Sequence, residues 1–466
     1  MSGIVEAELI RKLTVALVCF LGILFGAQCL RGAVLRAGVA QADITPPPGV
    51  LMWGYEDRTQ PAKGTRDPLY ARILVLEVGS KRLGLVTLDL GRTFGESSMN
   101  RLRDTARKQS GVSCLLLAAS HTHAAPFIED EYPGNTPPPW EGAALSRIEG
   151  GITEATAHLV PARIGTGTGV VYIGHNRLRL NPDGSITWFE RNTTMIPTAP
   201  VDPTLSVLRV DSAEGHPLAV LVNYACHPVI LGPDNLEYSA DWPGVMTRTV
   251  EQGLAESGAK PVCFFLQGGD GDINPYYAVT PLKEDAVGRR DWSGERAGEE
   301  AARVAQAIRT EAPSEPSLDY AEDVLSVPLR WDAEGFRQGL DASFGPEISH
   351  KYFPHIDKDV RLPVTTVLVD RQIALMTMPG EPFVDFQKNW RDRCPVSTAL
   401  FLAYTNGYYG YFPTIRASTL GGYGADTVTT WVEPGAGERM VDDAVVRTYK
   451  MLGRLRSMPS DLPWKK

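Results

Sequence analysis

Positive charge is in short supply in this 466-residue chain: 46 Lys and Arg stand against 55 Asp and Glu, a net charge of −9 at pH 7. That balance, with no basic aromatic stripe, excludes nucleic acid as the expected partner. No internal repeat is visible, which argues against a solenoid or propeller. Cysteine amounts to six residues, and two of them, Cys19 and Cys29, sit in an apolar segment near the start. Cys114, Cys226, Cys263 and Cys394 remain. Disulfides among four cysteines have three pairings, and the sequence does not choose one. Three of the four lie inside apolar runs, so buried free thiols are the expectation. Two binding motifs are also missing. Asp270-Gly271-Asp272-Ile273-Asn274 imitates the opening of a calcium loop, but Pro275 stands where glycine is required and no Glu closes the loop. The glycines there lack the Lys-Ser/Thr of a phosphate cradle.

Hydrophobic residues at 43% and charged residues at 22% are ordinary for a globular protein, and 45 Gly with 35 Pro make it rich in loops. The length allows two or three domains. No composition break divides the chain after Gly38, so one mixed α/β domain is expected over residues 38–466, preceded by a leader or anchor at 1–37. Arg11 and Lys12 precede an apolar run at 13–29, the pattern of a secretory signal. Export is the expectation, secreted or periplasmic, with cleavage before Gly38. A run of this length also permits an uncleaved membrane anchor. Asn192-Thr193-Thr194 is a glycosylation sequon, relevant in a eukaryotic host.

Patterning gives the elements. Strands are expected near the start (38–48), at 73–77 and 82–89, at 115–119, 162–172, 205–210, 218–224, 261–266, 319–331, 362–378 and 399–404. Helices are expected at 94–110, 140–159, 243–258, 294–310 and 440–456. Pro243 near a helix start and Gly258 past its end mark one of them clearly.

The chemistry gathers at strand ends. The apolar run through Ala119 ends in Ser120-His121-Thr122-His123. Residues i and i+2 share a face of a strand, so His121 and His123 point the same way. That is a compact way to bring a metal ligand and a proton-transfer group together. A His pair capping a strand in solvent is the plain alternative. Four further apolar strands end in polar loops: Cys226-His227-Pro228, Gly268–Pro275, Pro379-Gly380-Glu381-Pro382 and Asn406–Tyr411. Ligands of open α/β sheets sit beyond strand ends. Of the eight histidines, His158, His216, His350 and His355 fall in helix, turn or polar loop and read as surface residues. His121, His123, His175 and His227 remain. Taken alone, His227 reads as a strand-end histidine, Glu381 as a turn carboxylate and the tyrosines as packing.

Several stretches, taken in order, resemble the neutral/alkaline non-lysosomal ceramidase family. They are Asp43-Ile44-Thr45-Pro46, Gly64 through Arg72, Ser120-His121-Thr122-His123, Asn176-Arg177, Cys226-His227-Pro228, Gly271–Pro275, Pro379–Pro382 and Asn406–Tyr411. The resemblance covers roughly residues 38–426. It implies an α/β fold, a mixed α/β sandwich with its active site at strand ends. It places the ligands of one zinc ion on His121, His227, Glu381 and Tyr411. The general acid/base falls on His123, the active-site arginine on Arg177, and a second tyrosine, twelve positions beyond the ligand tyrosine, on Tyr423. Two departures stand out. The family serine of a Gly-Asp-Val-Ser-Pro-like motif is Asn274 here, an amide that cannot act as a nucleophile. The chain also stops soon after the tyrosine region, so the family's C-terminal β-sandwich is not expected.

The resemblance implies a zinc-dependent hydrolase of a lipid-like N-acyl amide, ceramide being the family substrate, with association at a membrane surface. His123 would move the proton, Arg177 or Tyr423 would stabilise the oxyanion, and Asn274 would donate a hydrogen bond to substrate or water. Three rivals stand beside it. A zinc-binding relative without activity would recognise lipid or glycan, a two-metal amidohydrolase barrel would also carry His-x-His, and an exported structural protein would bind no metal.

Overall fold

The computed structural model describes residues 33–256, 260–352 and 355–456. The apolar run at 13–29, with Cys19 and Cys29, lies outside the described residues, as does Gly258, the expected helix stop. Among the described residues no helix is long and apolar enough to cross a membrane.

Eight strands form the larger sheet: β1 (Leu35–Asp43), β2 (Tyr70–Val78), β3 (Lys81–Leu88), β4 (Cys114–Ala119), β5 (Val160–Val170), β6 (Thr204–Ser212), β7 (Pro217–Tyr224) and β8 (Val262–Gln267). Their order in space is β8-β7-β6-β5-β1-β2-β3-β4. A second sheet runs β9-β10-β11-β12, from β9 (Leu318–Pro328), β10 (Asp359–Val369), β11 (Ile373–Thr377) and β12 (Thr398–Leu402). Six helices flank them: α1 (Glu96–Ser110), α2 (Pro139–Ala157), α3 (Asp241–Gly253), α4 (Ala286–Ala307), α5 (Val384–Arg393) and α6 (Ala436–Met451).

Most neighbouring strands are antiparallel. Within these two sheets three pairs are parallel: β3 with β4, β7 with β8, and β11 with β12. A parallel pair needs a crossover, and α1, α3 and α5 supply the three. In each crossover the incoming and outgoing strands end on the same side of the sheet. This is what brings the polar loops to one edge of the molecule.

The two sheets stack face to face. Alternation along β4 shows how the sequence codes for this. Cys114 and Leu116 join an apolar layer that also holds Val367, Val369, Leu375 and Leu400 of the second sheet. Leu115 and Leu117 face the other way, onto Leu102 of α1 and Leu145 of α2. The outer face of the second sheet is covered by α5 and α6 through Phe386, Trp390, Met440 and Ala444. The result is a four-layer sandwich, helices outside and sheets within, as the α/β expectation held. Both sheets are open and stacked, which rules out the barrel reading.

Some details differ from the sequence reading. Residues 362–378 are not one strand but the hairpin β10–β11, turning at Asp370 (φ 50°) and Arg371 (φ 55°). Both turn residues take the left-handed conformation without glycine, so the usual turn signal is missing. Helices at Ala333–Phe344 and Pro346–Tyr352 were not foreseen. All four described cysteines are free and buried. Asn192 is no exposed acceptor for sugar: it is buried, and its amide donates to the Ile196 carbonyl and accepts from the Ile196 N–H.

Helices α3 and α4 touch at glycine. A Cβ on Gly294 would lie 2.4 Å from Val245 Cβ and 2.5 Å from the Trp242 carbonyl oxygen. The Trp242 indole in turn donates to the His227 carbonyl at 3.1 Å. Gly294→Ala should therefore destabilise the fold by about 1–3 kcal/mol in urea unfolding, and an unchanged midpoint would show that the helices part freely. Asp241 opens α3 and accepts from the Leu231 and Trp242 N–H groups. Burial pushes its carboxyl up to about 6. The raised value means the folded state holds its proton longer than the unfolded chain. Relative to Asp241→Asn, the wild type should lose up to about 3 kcal/mol as pH rises from 4 to 6, then level off. A flat difference across that range would sink the assignment.

Candidate active site

Strand β4 delivers the first two histidines. Past Ala119 the chain turns sharply, with His121 at φ 69°. The Ser120 N–H donates to the Leu88 carbonyl and the His121 N–H to the Leu90 carbonyl, so the turn is fixed by the neighbouring strand end. His121 Nδ1 lies 2.7 Å from the Gly91 carbonyl oxygen. A carbonyl only accepts, so Nδ1 carries the hydrogen and Nε2 the lone pair. Strand β7 delivers His227 in the same way. Its Nδ1 lies 2.7 Å from the Asp270 carbonyl oxygen, which again leaves Nε2 as the lone-pair nitrogen.

Those two Nε2 atoms meet one carboxylate oxygen. Glu381, in the loop after β11, places Oε2 3.4 Å from His121 Nε2 and 3.3 Å from His227 Nε2. The other oxygen, Oε1, accepts from the Tyr408 hydroxyl at 2.5 Å. His123 Nε2 stands 3.3 Å from His121 Nε2. The donor nitrogens of His121, His123 and His227 lie within 4.8 Å of one another, close enough to share a metal ion. His121, His227 and Glu381 are all buried. Burial drives the Glu381 carboxyl up, but His121 and then His227 outweigh it and hold it well below its ordinary range. Burial, then Arg177, pulls His227 down to about 4, so it is neutral at pH 7. Burial and the two neighbouring imidazoles keep His123 neutral as well.

A second group sits alongside. Arg177 donates through Nη2 to the Tyr411 hydroxyl and the Gly271 carbonyl, both at 2.8 Å, and through Nη1 to Asn274 Oδ1 at 3.0 Å. Its guanidinium lies 5.1 Å from the Trp188 ring centre, 5.4 Å from Tyr423 and 5.5 Å from Tyr411. The Tyr411 and Tyr423 rings meet at 5.5 Å. Desolvation of its hydroxyl end, with Glu381 nearby, pushes the Tyr423 phenol up to about 12 while part of the ring stays exposed, so it is a hydrogen-bond donor at neutral pH. Asn274 is buried, and its Nδ2 donates to the Glu190 carbonyl at 3.0 Å. The amide that was expected to face substrate is engaged behind Arg177. His175 stays out of the cluster, against the Phe189 carbonyl. His158, His216, His350 and His355 are exposed, as expected.

The structure thus brings His121, His123, His227, Glu381, Arg177, Tyr411, Tyr423 and Asn274 to one edge of the sandwich. Sequence reasoning missed three supporting side chains. Tyr408 holds Glu381, Tyr404 stacks on His121 with ring centres 4.1 Å apart, and Asp270 accepts from the Tyr404 hydroxyl at 2.8 Å. The tyrosine run at 404–411 was visible, but nothing in it says which ring reaches which partner. Arg177→Met should leave three buried acceptors unpaired. It should cost about 2–4 kcal/mol in urea unfolding, and a loss under about 1 kcal/mol would mean that water replaces the guanidinium at no penalty.

Comparison with known proteins bears on the family and the fold. Residues 35–286, more than half of the chain, match the family model for neutral/alkaline non-lysosomal ceramidase, N-terminal. The neutral ceramidase of Drosophila pseudoobscura pseudoobscura is 26% identical over 274 residues, 54% of this chain. The match spans 38% of that relative's length. The crystal structure of neutral ceramidase from Pseudomonas aeruginosa has the same fold, with TM-score 0.71 at 20% identity over 92% of this chain and 76% of that one. A ceramidase complexed with C2 gives TM-score 0.72 at 20% identity, over 92% and 77% of the two chains. With more than half of its length matched by the family model, the chain belongs to the neutral/alkaline non-lysosomal ceramidase family.

Proposed function

We propose that this protein is a zinc-dependent amidohydrolase that cleaves an N-acyl amide, ceramide to sphingosine and fatty acid being the reaction its family membership favours. One observation carries the reading. His121 and His227 turn their lone-pair nitrogens toward the same oxygen of buried Glu381 while their N–H groups are tied to carbonyls. Two oriented imidazoles and a carboxylate are a donor set that suits zinc, and the carbonyls behind them are the usual outer support. Tyr411 would complete a set for one ion per chain. When bound, zinc polarises a carbonyl and acidifies water.

The chain's own residues then divide the remaining work. His123, neutral and next to His121, accepts a proton from the attacking water at Nε2 and passes it to the departing amine nitrogen. Arg177 and Tyr423 present donors where charge develops on the carbonyl oxygen. Asn274 fixes Arg177 from behind, a task that needs no nucleophile. Trp188 and Tyr423 are each more than 40% exposed and touch at 5.2 Å between ring centres. Exposed aromatics beside the polar cluster favour a substrate with an apolar chain, and a working position at a membrane surface. Export, read from the run at 13–29, would put the reaction outside the cytoplasm. The alternative, a relative that binds lipid without turning it over, is motivated by Asn274 replacing the family serine.

The test is metal content together with release of fatty acid from a ceramide, in wild type and His227→Ala. About one zinc per chain, lost with activity in the variant, is the expected result. Zinc without release moves the reading to a binding protein. His123→Ala should keep zinc and lose about 100-fold or more in kcat. Full activity in that variant would remove His123 from the mechanism.

A further inference from the structure

The three histidines are not held alike. His121 and His227 are tied through Nδ1 to backbone carbonyls. His123 Nδ1 is buried and meets no donor or acceptor among the described residues. No hydrogen bond to the ring's far side sets its angle, yet its Nε2 must stay beside His121. Something else fixes it.

The segment from Gly49 to Ala62 lies over this ring. Its ends are stapled together: the Gly49 N–H donates to the Ala62 carbonyl at 2.8 Å, and the Ala62 N–H to the Val50 carbonyl at 2.9 Å. It is sewn to the chain just past His123 by Trp53 N–H to the Ala125 carbonyl, and by Phe127 N–H to the Leu51 carbonyl. Closed loops of this kind pack on their own side chains and behave as units. At Gly54 the backbone takes φ +109° and presses on the ring. A Cβ there would lie 2.4 Å from His123 Cγ and 2.6 Å from Nδ1. Tyr55 meets the ring edge to face, with centres 5.0 Å apart, and is anchored by its hydroxyl to the Leu231 carbonyl at 2.9 Å. Arg58, 6% exposed, donates to the His123 carbonyl at 2.5 Å and also to the Trp53 carbonyl. Its guanidinium stands 5.0 Å from the Tyr55 ring centre.

We propose that Gly54, Tyr55 and Arg58 form a strap that sets the angle of the His123 imidazole, and that they are positioning residues for it. The strap works by packing, where the other two histidines are set by hydrogen bonds. The backbone of Gly54 covers the Nδ1 side of the ring, Tyr55 closes its edge, and Arg58 locks the His123 main chain to the strap. The ring angle is thus set from the Nδ1 side by contact, with no hydrogen bond there.

The proposal rests on the amidase reading for its catalytic consequence, so the test has a readout that does not. In the purified full chain, modification of each histidine by diethyl pyrocarbonate is followed by peptide mass spectrometry. Gly54→Ala and Arg58→Met should label His123 about tenfold faster than wild type, with His121 and His227 still protected, because the ring is released while the fold is kept. In the same variants kcat on an acyl amide should fall about 100-fold with zinc content and KM nearly unchanged, and Arg58→Lys should recover most of it. If Gly54→Ala does not fold, Arg58→Met and Tyr55→Phe carry the test. Labelling and kcat both within about twofold of wild type would overturn the strap. Faster labelling in a protein that turns over no acyl amide would keep the strap and overturn the amidase reading alone.

Discussion

The seam between the two sheets, at the end where the histidines lie, is the constraint on which the rest depends. Apolar layers hold sheets together without fixing how far one slides over the other. Here residues Ala403 to Asn406 do that. Ala403 N–H donates to the Gln267 carbonyl, Ala119 N–H to the Tyr404 carbonyl, and Tyr404 N–H to the Gly380 carbonyl. Asn406 behaves like an added strand residue, giving its N–H to the Leu117 carbonyl and accepting the Leu117 N–H on Oδ1. Asn223 spans the same gap, its Nδ2 donating to carbonyls of Leu266 and Phe401. The seam uses positive φ at Tyr404 (47°) and Asn406 (63°), a strain that such a bonded network sustains. His121 and His227 come from the larger sheet, Glu381 and the tyrosines from the smaller. The register of the sandwich and the geometry of the cluster are therefore the same quantity.

Glu381 turns that register into electrostatics. A buried carboxylate is expensive unless every lone pair is met. Oε1 is met by Tyr408, and Oε2 faces two imidazole lone pairs with no hydrogen between unless one ring is protonated. Burial lowers the His121 imidazole, but the Glu381 charge outweighs it and raises the group. A cation shared by all three groups relieves the facing lone pairs without a proton. The Tyr404 ring stacked on His121, and Asp270 beneath, keep the imidazole plane from turning away while it does so.

What could be read in the sequence followed from how local each signal is. The apolar run through Leu117 announces a strand, and the spacing of His121 and His123 announces a shared side, because both depend on neighbours in sequence. The convergence of five strand ends has its physical cause in the crossovers α1, α3 and α5: each returns the chain so that carboxyl ends align. The turn at Asp370 and Arg371 was invisible because left-handed backbone there is imposed by the hairpin and not by glycine. Tyr408 could not be separated from Tyr409 or Tyr411 by pattern, since which ring meets Glu381 depends on the seam. The Gly54 contact was hidden for the same reason: Gly54 and His123 are 69 positions apart in sequence and touch only in the fold.

Asn274 shows how one departure from a family pattern reads differently once the fold is known. As a letter in a motif it removes a hydroxyl and casts doubt on the chemistry. In place, its oxygen takes one N–H of Arg177 and its nitrogen reaches the Glu190 carbonyl, so the amide bridges the arginine to the segment just past Trp188. A serine has a shorter reach and one hydrogen to give. The amide therefore ties Arg177 more firmly to the wall that carries Trp188 than a hydroxyl could. None of the groups that face Glu381 uses residue 274. Residue 274 therefore acts on how the arginine and its aromatic surroundings are held.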